Sequence, residues 1–151
     1  MKEAIVNLLN AIIKLLQKKV EPESILPTST KRIKGEVLYK LLRDKFPDAE
    51  LYLSDKDYLL CSYDDIALFL AQDNTNKMGY IKEILDCDDF SYRLMGQFSI
   101  PGWSDLAFGI VWSNVHALNI CVTEDLEVLF VEPQSDELKD SQQGLIRFII
   151  M

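Results

Sequence analysis

The chain has 151 residues, 48% of them hydrophobic and 26% charged, enough to bury the core of one domain and too apolar for a disordered segment. Six glycines and five prolines exclude collagen-like and low-complexity character. Sixteen basic against 24 acidic residues give a net charge of −8, which argues against a nucleic-acid binder working through clustered positive charge.

The first twenty residues read as an amphipathic helix. Glu3, Asn7, Asn10, Lys14 and Gln17 form one polar stripe, and Ile5, Leu8, Leu9, Ile12, Ile13 and Leu16 the apolar face. Docking on the domain's own core is the first expectation for this helix, self-association the second and a membrane surface the third. Residues 1–30 would then form an accessory helical arm on a single domain spanning 1–151. The stretch is broken by Asn7, Asn10 and Lys14 and lacks a small-residue cleavage site, so it does not read as a signal peptide. No run of about 18 apolar residues could span a bilayer.

A loop with Pro22 and Pro27 follows. Ser29 or Thr30 then caps a second predicted helix, with Ile33, Val37, Leu38, Leu41, Leu42 and Phe46 on one face and Pro47 at its end. Glu50–Ser54 alternates like a strand, with Tyr58–Cys61 as its hairpin partner across Asp55-Lys56-Asp57. Ser62 and Asp65 resemble a capping box opening a helix through Ala71, which the polar stretch Asp73–Lys77 ends.

Asp86–Met95 reads as a short helix closed by Gly96, followed by a turn-rich loop around Pro101, Gly102 and Trp103. Three runs, Leu106–Trp112, Val115–Val122 and Leu126–Val131, have short connections and predict an antiparallel meander. Leu145–Met151 is a last strand candidate. Helices early and antiparallel strands late make the fold class α+β.

Three cysteines without a CxxC pair suggest neither a disulfide framework nor zinc, and place the chain in a reducing, cytoplasmic setting. Cys61 and Cys121 lie in apolar strands and read as core. Cys87 stands at a predicted helix start, where free N–H groups and partial positive charge favour a thiolate. If Val122 pairs with Leu126, the single histidine, His116, lies opposite Glu132, which would accept its N–H and fix its tautomer. A helix-borne Cys facing a sheet-borne His backed by an acid is the papain-type arrangement.

Charge complicates that picture. Residues 1–47 carry +5 and residues 48–151 carry −13. Asp86, Asp88 and Asp89 flank Cys87 and would suppress a bare thiolate. A Ca²⁺ ion, or another divalent cation, on Asp88, Asp89 and Asp136 would relieve this, because hard cations take carboxylate oxygens.

Asp-Cys-Asp-Asp-Phe, Val-His-Ala-Leu-Asn and Val-Glu-Pro-Gln, in this order, resemble the papain-like cysteine protease domain of the Marasmius oreades agglutinin (MOA) family and its bacterial and phage relatives. The resemblance covers residues 80–136. It implies a papain-like α+β fold and a calcium-dependent thiol hydrolase acting on a peptide or protein. Cys87 matches the nucleophile, His116 the base, Glu132 the orienting acid, Asp88 and Asp89 the acidic pair near the metal, and Gln134 a polar site residue. From its place in the Pro-Gly loop, rather than from the resemblance, Trp103 is a candidate to line a substrate groove, with packing beneath the loop the commoner arrangement for such an aromatic. The lectin module of that family has no counterpart here. The Asp-Cys motif also resembles NlpC-type cell-wall peptidases, although Asp89 replaces their usual glycine. A non-enzymatic interaction or cation-binding protein that keeps the fold is the alternative from a different class.

Overall fold

The computed structural model describes residues 26–151. The N-terminal helix expected over residues 1–20, with its docking and self-association readings, lies outside the described residues. Along the described chain run β1 (Arg32–Lys34), α1 (Gly35–Lys45), β2 (Glu50–Tyr52), β3 (Asp57–Leu59), α2 (Tyr63–Gln72), a 3₁₀ turn (Thr75–Lys77), α3 (Cys87–Phe98), β4 (Phe108–Ser113), β5 (Ala117–Val122), β6 (Val128–Glu132), β7 (Glu137–Lys139) and β8 (Ile146–Ile150). The class is α+β.

A six-stranded mixed sheet, ordered β2-β8-β4-β5-β6-β7, organises the domain. The expected meander is its centre: β4 pairs with β5, and β5 with β6, both antiparallel. β5 is buried along its whole length because both faces of the sheet are covered. Leu118, Ile120 and Val122 meet Leu38 and Leu42 of α1 on one side. Cys121, with Phe108 and Val131 of the flanking strands, meets Ile66 and Leu70 of α2 and Leu94 and Phe98 of α3 on the other. Gly109 is required at its position, since a Cβ there would run into the Ile150 carbonyl oxygen.

Four expectations need correction. The second helix starts at Gly35, because Ile33 belongs to β1 and pairs with Tyr58. Its N-cap is therefore Lys34, not Ser29 or Thr30. Ser29 instead bonds Glu124, and the Thr28 and Ser29 N–H groups donate to the buried carboxylate of Asp65. Second, β2 and β3 do not form a hairpin. Asp55-Lys56-Asp57 lacks the glycine that the tight primed turns favour, and β2 pairs in parallel with β8, packing the partly buried Leu51 beside Ile149. Third, the 86–95 helix runs through Gly96 to Phe98, because Phe98 gains a place in the core at 3% exposure. Fourth, Val122 pairs with Val128 rather than Leu126, which shifts the β5–β6 register by two residues and leaves Thr123–Glu127 as the loop. A shift of two preserves which side chains share a face.

The helix at Ser62 forms as read, with the Asp65 N–H donating to Ser62 Oγ at 3.3 Å. Cys61 and Cys121 are core residues, at 1% and 0% exposure. Burial pushes the Cys61 thiol well above its ordinary value, and the adjacent Cys121 adds to the shift.

Candidate functional site

Helix α3 presents Cys87 in its first turn. Asp86 and Asp89 form a reciprocal capping box there, with the Asp86 N–H donating to Asp89 Oδ2 at 3.1 Å. The helix is fastened to the sheet by Asn119, fully buried on β5, whose Nδ2 donates to Ser91 O at 3.0 Å and Gly109 O at 3.1 Å. Ser91 Oγ in turn donates to Cys87 O at 2.8 Å.

Around the thiol the acids crowd. Ligand atoms of Asp86, Cys87 and Asp88 all lie within 4.8 Å of one another, in a grouping that could hold a metal ion. A hydrogen bond with the Asp86 side chain, followed by burial and the charges of Asp86 and Asp89, holds the Asp88 carboxyl above its ordinary value. Burial, then Asp86, Cys87 and Glu83, likewise raise the Tyr80 phenol, so this ring borders the same cluster. The two carboxylates suit a hard cation such as Ca²⁺, which would leave the sulfur outside its coordination.

His116 and Glu132 meet as the sequence suggested, with Nε2 and Oε2 2.9 Å apart. The turn Ser113–His116 sets the histidine: Ser113 Oγ accepts the His116 N–H at 3.0 Å. The Gln134 N–H donates to Glu132 Oε1 at 3.4 Å, so Gln134 acts here through its backbone. Burial opposes ionisation of Glu132. The hydrogen bond and charge of His116 outweigh it, helped by Gln134 and Lys139, and the carboxyl sits below its ordinary value.

A folded-state value below the unfolded one stabilises the fold above the ordinary carboxylate range, and that stability is lost as pH falls through the folded value. Glu132→Gln should therefore cost about 1 kcal/mol near neutral pH, discounted for partial exposure. The gap to wild type should close below pH 4.5, the ordinary value. Urea unfolding at stepped pH checks this, and a gap that stays constant into acid would contradict it.

His116 and Glu132 line a cavity of about 550 Å³ with Leu118, Lys139 and Gln142, and Cys87 does not line it. Leu118 faces the α1 side of the sheet, whereas α3 packs on the Asn119 side. Of the expected metal ligands, Asp88 joins Asp86, Asp89 caps the helix, and Asp136 lies in the β6–β7 turn, where it receives a hydrogen bond from Asn76. Trp103 is 3% exposed and packs against Phe69 and Phe98, so it offers no open face to a groove. A larger open groove, about 1020 Å³, lies between α1 and β2 and includes none of the expected site residues.

No protein-family model and no curated protein matches the chain. Solved structures do, and two of them are described here. PSL1a in its complex with E64 superposes with a TM-score of 0.71 at 24% identity, over 80% of this chain and 50% of that one. The Polyporus squamosus lectin, bound to a human-type influenza-binding epitope, Neu5Acα2-6Galβ1-4GlcNAc, gives a TM-score of 0.67 at 23% identity, over 80% of this chain and 49% of that one. The likeness is one of fold.

The chain thus spans about half the length of these neighbours. The expected resemblance to the MOA-related family is met at the level of fold, while its protease domain is not supported. The expectation of a calcium-dependent cysteine hydrolase does not survive the comparison. The fold it leaned on occurs in lectins, and fold by itself carries no reaction. The descriptions hydrolase and cysteine protease are set aside with it.

Sequence reasoning missed Asn76, whose Nδ2 donates to Asp136, and Asp73, whose charge acts on the same carboxyl. The polar run Asp73–Lys77 signalled a helix end and nothing more.

Proposed function

We propose that this chain is a non-enzymatic binding domain that takes a divalent cation, Ca²⁺ first among candidates, on the acidic first turn of α3, and that its partner is a glycan. The observation that carries the cation is the clustering of Asp86 and Asp88 around Cys87, with Asp88 raised by its bond to Asp86. Two carboxyls held at close range are relieved by a bound cation. Asp86 and Asp88 supply the oxygens, Asp89 holds the turn in place, and the His116–Glu132 pair contributes a polar cavity to the same domain.

The glycan is the partner class that the Polyporus squamosus lectin's bound epitope brings forward. On this chain the surface suited to a sugar's apolar face is Tyr92, 54% exposed on α3. Its ring tilts against Trp112 at 5.5 Å, and Trp112 stacks on Phe148 at 4.3 Å. The finer fold assignment, papain-like with Cys87 on the helix and His116 on the sheet, is part of this reading as topology and carries no reaction. Among the described residues no helix is long and apolar enough to cross a membrane.

A glycan array probed with the full chain, with Ca²⁺ and with EDTA, tests the reading. Binding to a defined set of glycans that falls at least tenfold in EDTA and in Tyr92→Ala supports it. An array without binding in either condition overturns the glycan assignment.

A further inference from the structure

Strand parity sorts the side chains at the β8–β2 end of the sheet. Phe148 pairs with Trp112 and Ile150 with Ile110, while Glu50 pairs with Phe148 and Tyr52 with Ile150. All of them share the face on which Asn119, the partner of Ile110, bonds α3. Val111, Ile149 and Leu51, which alternate with them, belong to the core under α1. On the shared face α3 packs over β5 and β4. Beyond it runs a band of large apolar side chains: Trp112 and Phe148, half-buried and stacked at 4.3 Å, then Ile150 at 36% and Tyr52 at 55% exposure. Single exposed apolar residues need no explanation, but four adjoining across three strands form a contiguous patch. The described helices are engaged elsewhere, α1 on the opposite face and α2 in the cluster around Phe98.

The chain carries a cover of matching shape. The apolar stripe read over Ile5–Leu16 is about 18 Å long as a helix, and the band is about 10 Å wide from β4 to β2. The start of the described chain is also well placed. Leu26 packs over Gly102, where a Cβ would collide with it, and the Thr28 and Ser29 N–H groups are fixed on Asp65. The 99–107 loop leads into β4, along which Phe108 to Trp112 is about 13 Å. Residues 17–25 extend to about 30 Å, so the stripe reaches the band with chain to spare. Charge agrees with this placement. Residues 1–20 hold four Lys and one Glu, whereas residues 26–151 hold 12 basic and 21 acidic side chains. Exposed Glu50, which accepts the Tyr52 hydroxyl at 2.7 Å, stands at the rim of the band.

We propose that residues 5–16 of this chain dock as an amphipathic helix on the band formed by Trp112, Phe148, Ile150 and Tyr52. The docked segment continues the layer that α3 begins and covers the β8–β2 end of the sheet. It rests on the band and the stripe, and depends on neither the glycan nor the cation.

A benzophenone photocrosslinker in place of Tyr52, in the full chain, tests the proposal, with joined peptides identified by mass spectrometry. A second probe at Ile150 repeats the measurement from the neighbouring strand. Light should join each position to residues 1–20 of the same chain, and the product should be lost when Leu9→Asp and Ile12→Asp are introduced together. The same probe at Tyr63 on α2, which lies with Leu138 and Lys139 of β7 at the other edge of the sheet, should give none. Mixing isotopically light and heavy chains separates contacts within one chain from those between two. Products that join two chains overturn the proposal and give the band to a second copy. Products that persist in the Leu9→Asp/Ile12→Asp variant, equal labelling from Tyr63, or none to residues 1–20 from either band probe overturn it as well.

Discussion

Phe98→Ala is expected to destabilise the domain by about 3–5 kcal/mol, the range for a fully buried aromatic truncated in a core. Phe98 ends α3 and stacks between Phe69, at 3.8 Å between ring centroids, and Phe108, at 3.9 Å, with Trp103 meeting its edge at 5.7 Å. These rings join α2, α3, the 99–107 loop and β4. Their removal takes away apolar burial and leaves a cavity that three large rings cannot readily close. The comparison is Tyr92→Ala on the same helix, where the ring is half-exposed and about 1 kcal/mol or less is expected. Denaturant unfolding of both variants measures the contrast. Equal losses would mean that α3 is not anchored through its C-terminal end.

The second large effect concerns the cation. Replacing Asp86 and Asp88 together by Asn should weaken Ca²⁺ at the α3 turn at least 100-fold, about 2.8 kcal/mol at 1.4 kcal/mol per tenfold. Both charges that bind the ion are lost, while the Asp89 carboxylate that accepts the Asp86 N–H is kept. The thiol gives an independent readout. A cation between the two carboxylates favours the Cys87 thiolate, so Ca²⁺ should accelerate alkylation of Cys87 by iodoacetamide in wild type and not in the double variant. A soft ion such as Cd²⁺ that coordinates the sulfur would slow the same reaction. Alkylation that ignores Ca²⁺ in wild type would remove the cation from this turn.

Both effects depend on features that were unevenly legible in the sequence. Alternation and short turns marked the β4–β5–β6 meander, because each strand buries the face its pattern shows. The His116–Glu132 pair was legible through face parity, which survived a register error of two residues. The parallel partnership of β2 with β8 was not legible, because Leu51 and Ile149 lie far apart along the described chain and no local pattern links them. Ile33 fits the spacing of a helix face and of a strand equally well, and its pairing with Tyr58 decides. Gly96 read as a helix stop, and burial of Phe98 outweighs its local cost.

The site shows the same division. Cys87 at a helix start with acids around it was visible from the residues alone. That α3 packs on the Asn119 side of the sheet while His116 and Glu132 line a cavity with Leu118 was not, since it depends on which face each helix covers. Asp136 stood out as an acid, but its true neighbours, Asn76 and Asp73, looked like an ordinary polar linker until the β6–β7 turn reached them.

The most direct test of a non-enzymatic binding domain is turnover itself: cleavage of a mixed fluorogenic peptide library by the full chain in saturating Ca²⁺, wild type against Cys87→Ala. The account predicts the same background rate for both proteins, with and without Ca²⁺. Cleavage that requires Ca²⁺ in wild type and disappears in Cys87→Ala would contradict it.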